Sequence, residues 1–327
     1  MPLPTPGDVH VNRPLTNISI AYIQDSANFI ADKVFPNVPV TKQSDRYFKY
    51  LKEDWFRVEA RERAPGTESA GSGWRIDNTP TYYAPVIAVH KDVDDQIRAN
   101  SDEPIDMDRD ATLWVTNQLL LKREKIWAEN YFMPNVWDTD LEGVNAGPGA
   151  GQFLQWDQAS STPIEDVTNA AVAIAEKTGF RPNVLVLAPK VYNAIRNHPD
   201  VLDRIKYTQR GVVTTEILAG LFDVDRVLVP WGVVNTAAEG VDGDAGFEFV
   251  FGNNALLTYA NPTPSILQPS GGYIFSWTGY LGAGPAGNRI KRFRIEQIAS
   301  DRIEGEMAFD AKLVAPDLGV FFEDAVS

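Results

Sequence analysis

The chain has 327 residues, of which 44% are hydrophobic, and 30 basic against 44 acidic side chains give it a net charge of −14. This length allows about two domains with buried cores, and no apolar run approaches the roughly 20 residues of a membrane helix. The absence of cysteine excludes disulfides and thiol chemistry and fits folding in a cytoplasm. The acidic balance disfavours binding to DNA phosphates, so a protein of this charge that met nucleic acid would contain it rather than grip it.

The first 40 residues predict an arm. Prolines at positions 2, 4, 6 and 14 indicate an extended segment of low order. After Thr16, apolar residues at Ile23, Ala27, Ile30 and Val34 have helical spacing. This short helix either packs on the body of its own chain or docks on a neighbouring subunit, and periodicity does not separate the two.

Residues 45–90 predict a long two-stranded ribbon. DRYFKYLKEDWFRVEA and WRIDNTPTYYAPVIAV are strand-like, and the Gly, Pro and Ser residues between them predict a tip. An isolated ribbon is marginal in water, and exposed apolar area usually marks contacts. The ribbon either folds back on its own domain or lies across another subunit, and we favour the second. The candidate contact residues are Tyr47, Phe48, Tyr50, Trp55, Phe56, Pro65, Gly66 and Trp74.

A long helix is predicted over 106–132, between Pro104 and Pro134. The segment lacks Gly and Pro, opens with acidic residues and carries Lys and Arg late, as the helix dipole favours. Its apolar residues form several ridges, which predicts a central spine with neighbours on several sides. The predicted core residues are Leu113, Trp114, Leu120, Leu121 and Trp127.

Strands alternating with helices over about 162–260 predict a compact α/β subdomain. Within it, FEFVF and ALLTYA are predicted to form a hairpin across residues 252–254. The last 60 or so residues contain strand-like segments. We expect these strands to return to the sheet beside the long helix.

No motif carries catalysis. The run 282–287 matches G-x-G-x-x-G through Gly282, Gly284 and Gly287, but it includes Pro285 and precedes a strand-like segment. A turn is therefore favoured over a dinucleotide site. Asp106, Asp108 and Asp110 lack the glycine and glutamate of a calcium loop, and the three histidines form no zinc pattern. No carboxylate pair is singled out for acid/base work. We therefore expect no enzyme activity, no cofactor and no metal site.

Several long stretches resemble the major capsid proteins of tailed bacteriophages. They include NFIADKVFPNVPV, the SDRYFKY…DWFR…APGTESAG ribbon, HKDVDDQ, DRDATLWVTNQLLLKREKIW, NVLVLAPKVYNAIRNHPDV and EGEMAFDAKLVAPDLGVFF. The resemblance implies an α+β capsid fold with an N-terminal arm, an extended β-ribbon loop, a long spine helix, a peripheral domain and an axial domain. The implied parts are an arm over 1–40, an extended loop over 41–90, a peripheral domain with the spine helix over 91–161, an axial domain over 162–262, and C-terminal strands over 263–327 that return to the peripheral domain.

The resemblance also implies a function in the virion. Copies would assemble as hexamers and pentamers into an icosahedral head, built in the bacterial host cytoplasm, that encloses DNA without binding it specifically. The implied partners are other copies of the chain, a portal protein, a separate scaffolding protein and a decoration or cement protein, with no membrane. The predicted tip, residues 61–73, contains no lysine, so covalent cross-linking there is not expected. Alternatives are an encapsulin-type compartment, a carboxylate-dependent hydrolase and a decoration protein.

Overall fold

Two β-sheets and one long helix that reaches both of them form the body of the molecule. The computed structural model describes residues 24–101, 105–205, 213–241, 246–264, 268–281 and 288–327. The arm predicted over residues 1–14 and the G-x-G-x-x-G run at 282–287 lie outside the described residues. In the part of the chain that the structure describes, no helix has the length and apolar character needed to cross a membrane.

The first sheet has five strands and lies against the long helix. The 14-residue strand β16 organises it: its first half pairs with β15 and β6, and its second half pairs with β14. These pairs are antiparallel, whereas β1 joins β14 in parallel. The five strands are β1 (Asn37–Val40), β6 (Val86–Asp94), β14 (Gly272–Trp277), β15 (Asn288–Ile295) and β16 (Ser300–Leu313).

The second sheet has six strands in the order β10-β9-β13-β17-β7-β8. Its strands β9, β13 and most of β17 are completely buried, because helices and loops cover both faces. The six strands are β7 (Thr139–Val144), β8 (Gln152–Leu154), β9 (Val184–Leu187), β10 (Arg226–Leu228), β13 (Ala255–Thr258) and β17 (Gly319–Glu323). The remaining strands form three short ladders, in which β2 (Ser44–Arg46) pairs with β5 (Thr81–Tyr83), β3 (Lys49–Tyr50) with β4 (Ile76–Asp77), and β11 (Val233–Asn235) with β12 (Phe247–Phe249).

The N-terminus of α4 and both ends of α5 show the expected terminal residues. Asp106 precedes the long helix α4 and accepts a hydrogen bond from the backbone N–H of Arg109 at 3.1 Å. Helix α5 begins at Pro163 and is closed by Gly179, whose φ is +72°. The helices are α1 (Ala31–Val34), α2 (Lys52–Trp55), α3 (Asp95–Asn100), α4 (Met107–Tyr131), α5 (Pro163–Thr178), α6 (Pro189–Arg196), α7 (Pro199–Ile205), α8 (Thr215–Phe222) and α9 (Thr278–Leu281). Short 3-10 turns cover Ser26–Asn28, Glu296–Ile298 and Pro316–Leu318.

The predicted domain boundaries do not follow the division of the strands between the two sheets. Strands β7 and β8, assigned by the sequence to the peripheral part, lie in the second sheet. Strand β17 does not return to the first sheet either, since it lies between β13 and β7. Its two adjacent phenylalanines explain the placement: Phe321 meets Phe132 on one face, and Phe322 meets Trp156 on the other. A strand that is apolar on both faces is stable only inside a covered sheet.

The assignment of residues up to 40 to an arm is wrong for residues 29–40. Phe29, Ile30, Val34 and Phe35 are buried, and β1 is part of the first sheet. The helix predicted from Thr16 lies partly outside the described residues. Its described portion is a 3-10 turn followed by the four-residue helix α1. The predicted hairpin of FEFVF with ALLTYA is also wrong, because β12 pairs with β11 whereas β13 pairs with β9 and β17.

Helix α4 buries one stripe rather than several sides. The prediction that Leu113 and Trp114 belong to the core is wrong, since they are 38% and 37% exposed. Leu120 and Leu121 are half-buried, and Trp127 is completely buried. The buried residues recur about every four positions because such residues share one face of a helix. A single face is buried because the first half of the helix has the first sheet on only one side. Its buried residues are Ala111, Val115, Leu119, Arg123, Glu124, Trp127 and Ala128.

A buried carboxylate joins α4 to the N-terminal segment. The two oxygens of Glu124 accept hydrogen bonds from the backbone N–H groups of Ile30 and Ala31, at 2.8 and 2.9 Å. The neighbouring Arg123 pairs with Asp32 at 3.0 Å. Burial raises the pKa of Glu124 to about 7, although the two N–H donors and Arg123 oppose the shift. The attachment of α1 to α4 therefore includes a group that titrates near neutral pH.

We expect Glu124→Gln to remove a pH-dependent part of the stability. The folded-state pKa lies above the ordinary value of 4.5, so the contribution is complete below about pH 4.5 and is lost as pH rises through about 7. The free energy of unfolding of the native chain, relative to that of the variant, should fall by about 3 kcal/mol between pH 4.5 and 8. Urea unfolding of the isolated chain across this range measures the difference. Parallel pH profiles for the two proteins would contradict the prediction.

Candidate subunit interface

The ribbon predicted over 45–90 is present, but it has ordered ladders only toward its base. Strands β2 and β5 pair next to the body, and β3 and β4 pair further out over two residues each. Asp54 closes the outer ladder: its carboxylate accepts from the Arg75 guanidinium at 2.9 and 3.0 Å and from the Arg75 backbone N–H at 3.0 Å. Such a two-pronged ion pair fixes geometry even where exposure to water makes its net energy small.

An aromatic cluster lies on this outer ladder. The ring centroids of Tyr50 and Trp55 are 5.9 Å apart, and those of Trp55 and Trp74 are 5.6 Å apart. Even so, Trp55 remains 53% exposed and Trp74 60% exposed. Phe48 and Phe56 are also more than half exposed. These rings hold one another in place but leave most of their apolar surface in water, which is the pattern of a contact surface without its partner.

Tyr47 differs from the other candidates, because it already packs inside its own chain. Its ring lies 5.3 Å from that of Phe275 on β14, and Tyr82 stacks on the same Phe275 at 4.7 Å. Burial is the main cause that raises the pKa of Tyr47 and of Tyr82 above the ordinary value, so both hydroxyls stay protonated. The base of the ribbon therefore does fold back on its own sheet, which was the alternative we disfavoured.

Part of the ribbon also lies near the second sheet. Lys52, at the start of α2, forms an ion pair with Asp317. Phe56 lies beside the end of α5, where a methyl group added to Gly179 would be 3.6 Å from the Phe56 ring. From residue 60 to residue 76, however, every residue is exposed. Residues up to Phe56 thus contact the body of their own chain, whereas residues 60–76 are exposed throughout.

Pro65 and Gly66 form the turn at the tip. The backbone N–H of Thr67 donates to the carbonyl of Ala64 at 3.2 Å, and Gly66 has a φ of +79°. Proline followed by a residue with positive φ is the signature of a type II turn. The sequence prediction considered only aromatic residues and this turn, and it omitted Val58, Ile76 and Tyr83, which are also exposed. For Val58 and Ile76, alternation with charged residues was the available signal, whereas Tyr83 lies between Tyr82 and Ala84 and had no such signal.

The hydrolase alternative requires two carboxylates in one pocket. One cleft of about 370 Å³ between α4 and the first sheet contains Asp310, which pairs with Lys312 at 3.1 Å. A second cleft of about 240 Å³ contains Asp166, whose pKa burial raises and which accepts from the Trp156 indole at 3.0 Å. Each of these two clefts therefore has a single carboxylate, and neither has the pair of acids with divergent pKa values that the mechanism needs.

A serine and a histidine lie within hydrogen-bond distance of each other beside the second sheet, but their hydrogen bonds are structural. The Ser161 Oγ lies 3.0 Å from the His198 Nε2, and both side chains are buried. The His198 Nδ1 accepts from the backbone N–H of Asp200, which places the ring hydrogen on Nε2, where it faces Ser161 and the Gln158 carbonyl. A histidine in this tautomer donates toward the serine and does not take its proton.

Two of the three acidic residues weighed as a calcium loop have other partners, since Asp106 caps α4 and Asp108 pairs with Arg98 at 2.8 Å. Two nearby acidic residues are also paired. On β6, Asp92 pairs with Arg302 at 2.7 Å, and at the start of α3, Asp95 pairs with Arg294 at 2.6 Å. Within the described ranges, no group of three or more histidine or acidic side chains is arranged to hold a metal ion.

Comparison with known proteins bears on the whole chain. No sequence-family profile matches it. It is 26% identical over 317 residues to a protein named major capsid protein from Burkholderia phage BcepMu, covering 93% of each chain. It is also 26% identical over 336 residues to the major capsid protein of Pseudomonas phage JBD67, covering 96% of each. The chain is a homologue of phage major capsid proteins.

Solved structures show the capsid fold. A phage-related protein from Bordetella bronchiseptica RB50 superposes with a TM-score of 0.68 at 24% identity, covering 91% of this chain and 93% of that one. The capsid of cyanophage P-SCSP1u gives 0.61 at 11% identity, over 97% and 93%. The SrpI encapsulin of Synechococcus elongatus PCC 7942 gives 0.54 at 13% identity, over 99% and 96%. Phage heads and encapsulins therefore share this fold, and the likeness in sequence is to the phage proteins.

Proposed function

We propose that this chain is the shell subunit of a phage head. Copies assemble as hexamers and pentamers into an icosahedral shell that encloses double-stranded DNA. The observation that carries the proposal is the likeness to two major capsid proteins along almost the whole chain. The exposed aromatic surface of the outer ribbon supports it, because a subunit that functions alone has no use for such a surface.

In the shell, the outer ribbon contacts an adjacent copy. The exposed faces of Phe48, Trp55, Phe56 and Trp74 provide the apolar part of the contact, and the Asp54–Arg75 ion pair presents them in a fixed geometry. The turn at Pro65–Gly66 forms the end that reaches furthest from the ribbon ladders. Large aromatic side chains that become fully desolvated usually dominate the energy of an interface.

The remaining partners follow from the same role. The shell would meet a portal protein at one vertex, and a separate scaffolding protein would guide its assembly in the host cytoplasm. Because residues 61–73 contain no lysine, non-covalent contacts or a cement protein would hold the shell together. The net charge of −14 suits a wall that encloses DNA, since it disfavours adhesion of the packaged phosphates.

Electron microscopy of the expressed protein, alone and with a scaffolding protein from the same phage, tests the proposal. Closed shells, or isolated rings of five and six subunits, are the expected result. A monomer under every condition would contradict it. The encapsulin alternative rests on the fold alone, and it would be favoured by shells that contain a co-purifying cargo enzyme.

The double substitution Trp55→Ser and Trp74→Ser should prevent assembly without unfolding the subunit. Both rings are more than half exposed, so their loss should change the free energy of unfolding of the unassembled subunit by no more than about 1 kcal/mol. The fraction of protein in shells should fall about tenfold or more, as measured by sedimentation and microscopy. Val172→Ser, at a 61% exposed position on α5, is the matched control and should assemble normally. Normal assembly of the double variant would remove the ribbon from the interface.

A further inference from the structure

The β11–β12 ladder has an aromatic face that the shell function does not explain. The Trp231 ring lies 6.4 Å from that of Tyr192 on α6 and 6.1 Å from that of Phe249 on β12. Trp231 is 46% exposed, and Phe247 is 57% exposed. Perpendicular ring contacts of this kind order the aromatic groups with respect to each other while leaving surface available.

The strand register places these rings on one face. Val233 is opposite Phe249, and Asn235 is opposite Phe247. Side chains two residues apart on a strand share a face. The backbone N–H of Val250 donates to the carbonyl of Gly232 at 3.1 Å, so the pairing extends one step toward Trp231. We name the surface formed by Tyr192, Trp231, Phe247 and Phe249 the axial aromatic face.

The N-terminal segment enters the body beside this face. The side-chain amide of Gln24 donates to the carbonyl of Val233 at 2.7 Å, and the backbone N–H of Val233 donates back to the Gln24 Oε1 at 2.9 Å. Phe29 then packs next to Gly232, where an added methyl group would lie 3.6 Å from its ring. The chain that precedes Gln24 therefore starts two residues from Trp231.

The sequence before Gln24 has the composition that aromatic surfaces recognise. Residues 1–23 lie outside the described part of the chain, but positions 2, 4, 6 and 14 are proline. Each proline fixes its own φ and biases the residue before it toward extended or polyproline II geometry. Polyproline II segments dock on aromatic-lined surfaces at low entropic cost. The ten residues from Pro14 to Gln24 span up to about 30 Å, which leaves the proline-rich part within reach of the face.

We propose that residues 2–14 dock on the axial aromatic face of their own subunit. The prolines would lie against Trp231 and Phe247, and the Gln24–Val233 pair would set the direction of approach. Docking would hold the N-terminus on the axial aromatic face before the chain assembles. The inference does not depend on the shell function, because it concerns a contact inside one chain.

Disulfide trapping in the full-length chain tests this contact, because the native sequence has no cysteine to interfere. Thr5→Cys, between two prolines, is combined with Asn235→Cys on the axial aromatic face. Dilute unassembled subunits are oxidised mildly, and the yield of the intrachain disulfide is measured by mass spectrometry. Adding Trp231→Ala should lower the yield about fivefold or more, the effect of removing one aromatic anchor. Trp74→Ala, an exposed tryptophan on the ribbon, is the matched control and should leave the yield unchanged.

Three further measurements make the result decisive. Trp231→Tyr should retain most of the yield, because an aromatic ring remains. Phe247→Ser, at the most exposed ring of the face, should lower the yield as Trp231→Ala does, and it replaces that variant if Trp231→Ala does not fold. If neither Trp231→Ala nor Phe247→Ser lowers the disulfide yield, the arm only reaches the face and does not dock on it. That result would overturn the proposal. A disulfide that forms only between chains, in a mixture of the two single-cysteine proteins, would assign the face to a neighbour's arm and overturn it too.

Discussion

Trp127→Ala is expected to lower the free energy of unfolding of the subunit by about 3–5 kcal/mol. Trp127 is completely buried, and its ring lies between 5.4 and 6.4 Å from those of Phe35, Phe251, Phe132 and Tyr131. Two of these partners are on α4 or directly after it, one is in the N-terminal segment, and one precedes β13. Alanine would leave a cavity where the long helix, the N-terminal segment and the second sheet meet.

The same helix offers a matched control. Trp114 is 37% exposed and lies off the buried stripe, so Trp114→Ala should cost less than Trp127→Ala, because it leaves no enclosed cavity. Urea unfolding of unassembled subunits measures both losses. The Trp127 indole N–H is buried without a hydrogen-bond partner, so Trp127→Phe, which removes this donor and keeps an aromatic ring, should cost less than the lost ring volume alone predicts. Equal losses for Trp127→Ala and Trp114→Ala would contradict the observed orientation of the helix.

Gly319→Ala is expected to destabilise the subunit by about 1–3 kcal/mol or more, through overpacking. Gly319 begins β17, and a methyl group there would lie within 2.8 Å of three carbons of the Trp137 ring. That ring is buried, and its indole N–H donates to the Tyr131 carbonyl at 2.8 Å, so it cannot move aside without losing a hydrogen bond. The backbone of Gly319 has an ordinary extended conformation, so the cost arises from the contact rather than from strain.

A second substitution separates this contact from other causes. Trp137→Leu removes the ring that the new methyl group would meet, so the double variant should be more stable than the sum of the two single losses predicts. Gly220→Ala in α8 is the matched control, because an added methyl group there meets nothing within 4 Å and alanine favours a helix by up to about 1 kcal/mol. Additive losses in the Gly319 and Trp137 cycle would show that the two residues do not compete for space.

The ribbon shows how far local pattern extends. Its two arms, its turn at Pro65–Gly66 and its exposed aromatic residues all follow from sequence neighbours, because turn chemistry and strand propensity act over a few residues. The distinction between Tyr47 and Phe48 does not. Tyr47 packs on Phe275, more than 220 residues later, and no local signal specifies that partner. The interface candidates could thus be named from the sequence, but not divided into inner and outer residues.

Local patterns were enough to predict the extent of α4, the alternating strands and helices after residue 162, and the acidic, cysteine-free character of the chain. These depend on capping residues, apolar runs and composition, which are local properties. Long-range packing, by contrast, places β17 in the second sheet and residues 29–40 in the body, and it selects the stripe of α4 that is buried. Each of these depends on a distant partner, such as Glu124 for Ile30 or Phe132 for Phe321. Pairing between remote segments is selected by the total burial and hydrogen bonding of the assembled sheets, and no window of neighbouring residues contains that information.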